Sequence, residues 1–210
     1  MRCTWRSGGK GRSGRRPCFW PLASVRTASG RFWGFLVALS ETGPAWERLI
    51  DQLKERGLSG VEAATSDAHE GLKQALREAF PGLIWQRCQA HFKRNVMDQT
   101  PASYKDRMDQ VLDQILRAFS QQEAQDRFKN LREELAEEAP SALEVLEDGL
   151  YEATAVLALP GKYRRRLRTT NMIERFIQEV RRREKPIRIF PSVESARRLV
   201  GALCAETHEE

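Results

Sequence analysis

The first forty residues of this chain contain no acid: Glu41 is the first, and no aspartate precedes Asp51. Residues 1–28 lack helical and strand periodicity. Residues 1–31 hold eight Lys and Arg, and residues 1–28 are rich in Gly, Arg, Ser and Pro. That composition predicts an unstructured basic leader over 1–28 that takes no part in a packed core. A secretion signal is not read there, because the leader lacks a continuous apolar run and a cleavage site. Nowhere does an apolar run reach membrane-spanning length, so no membrane partner is expected. The four cysteines, Cys3, Cys18, Cys88 and Cys204, are scattered. Such dispersal argues against a disulfide scaffold and fits a reducing cytoplasm. No internal repeat is visible.

What is present is segregated charge. The 210 residues carry a net charge of +6, which favours a polyanionic partner without requiring one. Residues 121–150 hold nine acids against three bases, whereas residues 162–188 hold eleven bases against three acids. A uniformly solvated surface mixes its charges, so the separation points to a functional face. The length suits one domain with a core and an inserted subdomain.

Strand and helix patterns alternate in the first half. Arg31–Leu39 is short, apolar and aromatic, which predicts a strand. After Glu41-Thr42-Gly43-Pro44 a helix places Trp46, Leu49, Ile50 and Leu53 on one face, and Gly57 ends it. Val61–Ser66 is a weak strand, Glu70–Phe80 a helix with Leu72, Ala75, Leu76 and Phe80 inward, and Leu83–Cys88 a further strand. This order predicts an α/β sheet with crossover helices over 29–100. Residues 101–160 then read as all-helical. Met108, Val111, Leu112, Ile115, Leu116 and Phe119 form one apolar stripe, an acidic helix covers Gln121–Glu138, and Pro140 precedes a third helix. A basic linker, Gly161–Thr170, leads to final helices at Asn171–Arg183 and Val193–Glu206, within a closing segment 161–210.

Two carboxylates stand in surroundings suited to metal-assisted phosphodiester chemistry. Asp67 follows a strand, where ligands and catalytic groups gather in open α/β sheets, and a carboxylate there suits a hard cation. On position alone, Ser66 or Asp67 as the cap of the following helix is the favoured role. Glu174 shares the polar side of its helix with Asn171, Gln178 and Arg181; alone it reads as an exposed acid paired with a nearby arginine. Cys88 and His91 have zinc-ligand spacing, with Cys204 and His208 as a distant second half. The gap is too long for a compact zinc module, so a buried cysteine with a bonded histidine near Asp67 is preferred and no zinc is expected. Arginines at 164–166, 168 and 181–183 suit phosphates. Trp85 and Tyr163 are candidates for stacking on bases, although Trp85, inside a strand, reads more simply as core.

Taken together, these motifs resemble the mutator-type transposases of bacterial insertion sequences. The motifs are Ser-Asp-x-His-x-Gly-Leu at 66–72, Trp-Gln-Arg-Cys-x-x-His-Phe-x-Arg-Asn at 85–95, Thr-Thr-Asn-x-Ile-Glu-Arg at 169–175 and Glu-x-Arg-Arg-Arg at 179–183. Ile189-Phe190-Pro191 and Arg198–Leu203 add a similar C-terminal end. The resemblance runs from about Gly30 to Glu206 and corresponds to the later part of a family member. It implies an α/β, ribonuclease-H-like fold with an all-helical insertion, and an Asp-Asp-Glu site holding two Mg2+ or Mn2+ ions. By that resemblance Asp67 is the second aspartate and Glu174 the glutamate, with Cys88, His91, Asn95 and Asn171 supporting them. Arg94, Arg165, Arg166, Arg175, Arg181, Arg182 and Arg183 are then the DNA-binding residues. The implied partner is double-stranded DNA, both element ends and target, with a homo-oligomer as a further possibility.

One departure matters. The family's first aspartate lies on a strand upstream of 31–39, where this sequence has none, and Asp51 falls in a helix. Residues 1–28 match nothing in the family and are read as a truncated or frame-shifted start. The expectation is therefore a catalytically impaired transposase; a non-catalytic DNA-binding or assembly module that interferes with an intact transposase stays open, as does a chain that folds poorly.

Overall fold

The computed structural model describes residues 42–187 and 190–209, and the short segments 3–5, 16–18, 22–23 and 34–35. Among them the chain is α/β and mostly helical. It divides into two compact units, one of Met1–Val61, Glu70–Pro81 and Met172–Glu210, the other of Glu62–His69 and Gly82–Asn171.

In the first unit, β1 (Cys3–Trp5) pairs antiparallel with β2 (Arg16–Cys18), and β3 (Leu22–Ala23) with β4 (Gly34–Phe35). Most of the leader, and all of the anticipated 31–39 strand except Gly34–Phe35, lie outside the described residues. Helix α1 (Gly43–Glu55) buries Trp46, Leu49, Ile50 and Leu53, the face its periodicity predicts. It ends as anticipated at Gly57, whose φ of 98° is left-handed. Leu58 N–H donates to Leu53 O at 2.9 Å and Gly57 N–H to Lys54 O at 2.9 Å, which satisfies the last carbonyls of the helix. Helix α2 (Glu70–Ala79) packs Leu72, Ala75 and Leu76, with Phe80 just beyond its end, against that face. A separate core joins helix α8 (Asn171–Ile187) to α9 (Val193–Glu209) through Phe176, Val180, Phe190, Ala196, Val200 and Leu203.

The second unit contains a two-stranded parallel sheet and the helical region. β5 (Ala63–Ser66) pairs with β6 (Ile84–Arg87) in the register Ala63↔Ile84 to Ser66↔Arg87. Helices α3 (Gln89–Asp98), α4 (Lys105–Leu116), α5 (Gln121–Leu135) and α6 (Pro140–Ala153) share one apolar core. Phe92, Val96, Met108, Leu112, Ile115, Leu131 and Leu146 are almost fully buried in it. Ser120 caps α5 by accepting from Glu123 N–H at 3.1 Å. Pro140 opens α6 at the position where a missing N–H costs nothing.

Two expectations are corrected here. Phe119 does not continue the apolar stripe: α4 stops at Leu116, so the ring leaves the helical period and is 84% exposed. The stretch from Gly161 is not simply a linker, since Gly161–Leu167 forms a short helix, α7. It is held by Arg164, whose guanidinium donates to the carbonyls of Leu157, Leu159 and Phe119 at 2.8–3.0 Å. No helix among the described residues is long and apolar enough to cross a membrane.

Candidate functional site

The site is built at the carboxyl ends of β5 and β6. Ser66, the last residue of β5, is tied to the neighbouring strand twice. Its Oγ accepts from the Trp85 indole at 2.9 Å, and its carbonyl accepts from Cys88 N–H at 2.7 Å. Trp85 is 6% exposed, so it is a core residue and does not stack on a base. Asp67 follows directly, exposed to solvent, and its carboxylate has no hydrogen bond or ion pair among the described residues. The cap role favoured from position therefore finds no side-chain bond to support it.

The segment Leu167–Thr170 crosses the ends of both strands. Thr65 Oγ1 donates to Leu167 O at 2.7 Å, and Gln89 N–H donates to Arg168 O at 2.9 Å. Thr170 N–H donates to Cys88 Sγ at 3.4 Å, and its hydroxyl lies 3.3 Å from the same sulfur. Asp67, Cys88, His91, Asn95, Thr170 and Asn171 thus all belong to the second unit, while Glu174, Arg175, Arg181, Arg182 and Arg183 belong to the first.

Cys88 is fully buried at the start of α3. Burial pushes its thiol up, but hydrogen bonds from the side chains of His91 and Thr170, and from their backbones, outweigh it and hold the thiol near 7 instead of 9.0. Folding therefore favours the thiolate. The resulting stability is complete above pH ~9 and is lost as pH falls through about 7, an amplitude of about 2–3 kcal/mol. Denaturant titrations of the wild type and Cys88→Ala between pH 6 and 9 should diverge by roughly that amount. Parallel profiles would show that the sulfur stays neutral. Cys204, by contrast, is pushed up to about 11 by burial.

Sequence reasoning missed the residues that connect this edge to the helical region. Gln86 is 1% exposed. Its amide nitrogen donates to Ala153 O at 2.7 Å and Arg87 O at 2.6 Å, and its oxygen accepts from Val156 N–H at 2.6 Å. Gln89 donates to Ala153 O at 2.9 Å and Leu116 O at 3.3 Å. The Arg87 guanidinium sits 4.9 Å from the centre of the Phe92 ring. Asn95, with its amide oxygen turned towards Arg87, accepts from it at 3.1 Å and donates to His91 O at 3.1 Å. The available signal was two amides beside the apolar Ile84, Trp85, Ala90 and Phe92, since an amide buried among such neighbours needs a partner.

Of the proposed DNA contacts, Arg94, Arg165, Arg166 and Arg175 are exposed, and Arg181 is half-buried. Arg182 and Arg183 both bind Glu179, at 2.7 and 2.8 Å, and hold its carboxyl near 2. Part of that positive run is therefore already compensated.

Residues 26–210 match the family model described as Transposase, Mutator family. The chain belongs to the mutator family of transposases. It is 35% identical over 197 residues to the transposase for insertion sequence element IS256 in transposon Tn4001 of Staphylococcus aureus, covering 93% of this chain and 50% of that protein. It is also 37% identical over 169 residues to the transposase for ISRM5 of Rhizobium meliloti (80% and 42%) and over 188 residues to that for IS406 of Burkholderia multivorans (87% and 48%). This mutator-family chain spans about half the length of the curated relatives it matches.

Proposed function

We propose that this chain carries two carboxylates, Asp67 and Glu174, of a ribonuclease-H-like Asp-Asp-Glu site for cleaving and joining the DNA strands of an insertion element. The observation that carries the reading is the crossing of Leu167–Thr170 over the strand ends. The same edge presents Asp67, and the same segment runs straight into α8, with Asn171 its first residue and Glu174 three further on. The family membership supports the chemistry.

The donor set fits the metal. Asp67 and Glu174 offer carboxylate oxygens, which magnesium and manganese prefer, and the Asp67 oxygens have no competing partner among the described residues. Two such ions, when bound, activate an attacking hydroxyl and stabilise the departing oxygen. Cys88 and His91 are softer donors and act as supports: the Cys88 sulfur holds the Thr170 backbone, and His91 O holds Asn95. Arg94, Arg165, Arg166, Arg175 and Arg181–Arg183 supply positive charge for the phosphates of duplex DNA, so affinity falls steeply with salt.

Residues 1–210 contain no aspartate ahead of Asp51, and Asp51 lies on the exposed side of α1. This polypeptide is therefore expected to bind DNA but not to turn it over, which would also let it interfere with an intact transposase. The test is a Mg2+- or Mn2+-dependent cleavage assay on element ends beside salt-titrated binding. No turnover with salt-sensitive binding is the expected result. Turnover that Asp67→Ala abolishes would overturn the impaired state, and absence of affinity for duplex DNA at low ionic strength would overturn the DNA reading.

A further inference from the structure

Phe119 departs from every other member of its apolar stripe by facing solvent, and its backbone is nonetheless held on both sides. Its N–H donates to Glu123 Oε2 at 2.8 Å, and its carbonyl accepts from Arg164 Nη1 at 3.0 Å. An exposed ring on a fixed corner is a presented surface, unlike a ring on a fraying helix end.

Three guanidinium groups share that corner. Arg117 caps α4, two residues before the ring, with 73% of its side chain exposed. Arg164 reaches the Phe119 carbonyl. Arg168 is brought in by Gln89, whose backbone binds Arg168 O and whose side chain binds Leu116 O. The Arg168 Nε is out of contact with solvent and has no hydrogen-bond partner among the described residues. Burial, then the charges of Arg117 and Arg164, lower the pKa of Arg168. Two carboxylates border the corner, and each is shared with a second cation or donor. Asp113 shares its charge between Arg117 at 3.3 Å and Lys93 at 2.6 Å, and Glu123 binds Arg127 at 2.6 Å.

We propose that the corner between α4 and α5 is a nucleic-acid contact that stacks one unpaired base on Phe119 and takes its flanking phosphates on Arg117 and Arg168. An aromatic face beside cations in excess, with only Arg117 sharing a carboxylate among the described residues, matches what a nucleotide offers, a π-face joined to an anion. Within a regular duplex the faces are covered by neighbouring bases and only edges are available. The ring therefore recognises a base that has left the stack, at a strand end, a nick or a distorted step. A hydrophobic protein partner fits less well, because its apolar surface would have to desolvate three cations.

This inference rests on the DNA reading above. It is tested by anisotropy with the full chain on a single strand, a fully paired duplex and a duplex containing one unpaired base. Phe119→Ala should weaken the two substrates with unpaired bases about tenfold and the paired duplex less than about twofold, with Phe119→Trp restoring affinity. Arg168→Gln should weaken all three and reduce the salt slope by about one. The ring is 84% exposed, so its truncation removes no core packing, and unchanged thermal melts check this. Phe119→Ala binding unpaired substrates as tightly as the wild type, or losing paired and unpaired alike, overturns the proposal while the DNA reading stands. A wild type that binds none of the three overturns both.

Discussion

Replacing Gln86 by alanine should destabilise the protein by about 4 kcal/mol, and replacing it by methionine by about 2 kcal/mol. The difference between the two variants separates the causes. Methionine keeps roughly the volume of glutamine but leaves the Val156 N–H, now bonded at 2.6 Å, buried without an acceptor. An orphaned buried donor costs about 1–3 kcal/mol. Alanine adds a cavity at a position that is 1% exposed. Ala153 O keeps its second donor, Gln89, at 2.9 Å, so the loss at that carbonyl is partial. Glutamate should be worse than methionine, because its carboxylate can accept from Val156 but cannot donate to Ala153, and its charge is buried. Urea denaturation with an unchanged slope measures the three values, and hydrogen exchange should show the Val156 amide losing protection first. Equal stability of wild type and Gln86→Met would mean that the amide contributes packing alone.

Gly149→Ala should cost about 2–3 kcal/mol, a large penalty for adding one methyl group in a helix. Alanine is ordinarily the better helix former, so an exposed glycine replaced in this way would gain stability. Here the new Cβ would fall against the edge of the Phe92 ring and 2.5 Å from Arg87 Nη1. Phe92 is fully buried and does not move cheaply, while the half-buried Arg87 guanidinium has to swing off its ring. The strain should therefore reach the Arg87–Asn95 bond and the start of α3. A double variant with Phe92→Leu should recover part of the loss, giving a coupling energy of about 1 kcal/mol or more between the positions. Additive losses, or a stabilised single variant, would show that α6 can shift away from α3.

The two variants act on either side of the same junction, and they separate what could be read in the residues from what could not. The buried faces of α1, α2 and α4 were legible because a helix repeats every 3.6 residues and apolar spacing reports that period directly. The stop at Gly57 was legible for a local reason, since a left-handed residue after a helix favours glycine. The positions of Asp67 and Cys88 beside strand ends followed from the strand-then-helix order. Phe119 was misread because one residue at helical spacing does not reveal where the helix ends. The capping of α5 by Ser120 and Glu123 claims the chain first and turns the ring outward.

The sequence by itself determined the family, the α/β class, the helical stripes and the neighbourhood of the candidate carboxylate Asp67, because these depend on local spacing and motif order. Only the tertiary structure decided that Leu167–Thr170 crosses the ends of β5 and β6, and that Gln86 and Gln89 bind the helical region there. It also decided that Gly149 must remain without a side chain. The physical reason is the same in each case. A buried amide, a sulfur accepting an N–H, or a glycine under an aromatic ring is defined by a partner tens of residues away, and no local period encodes which partner arrives.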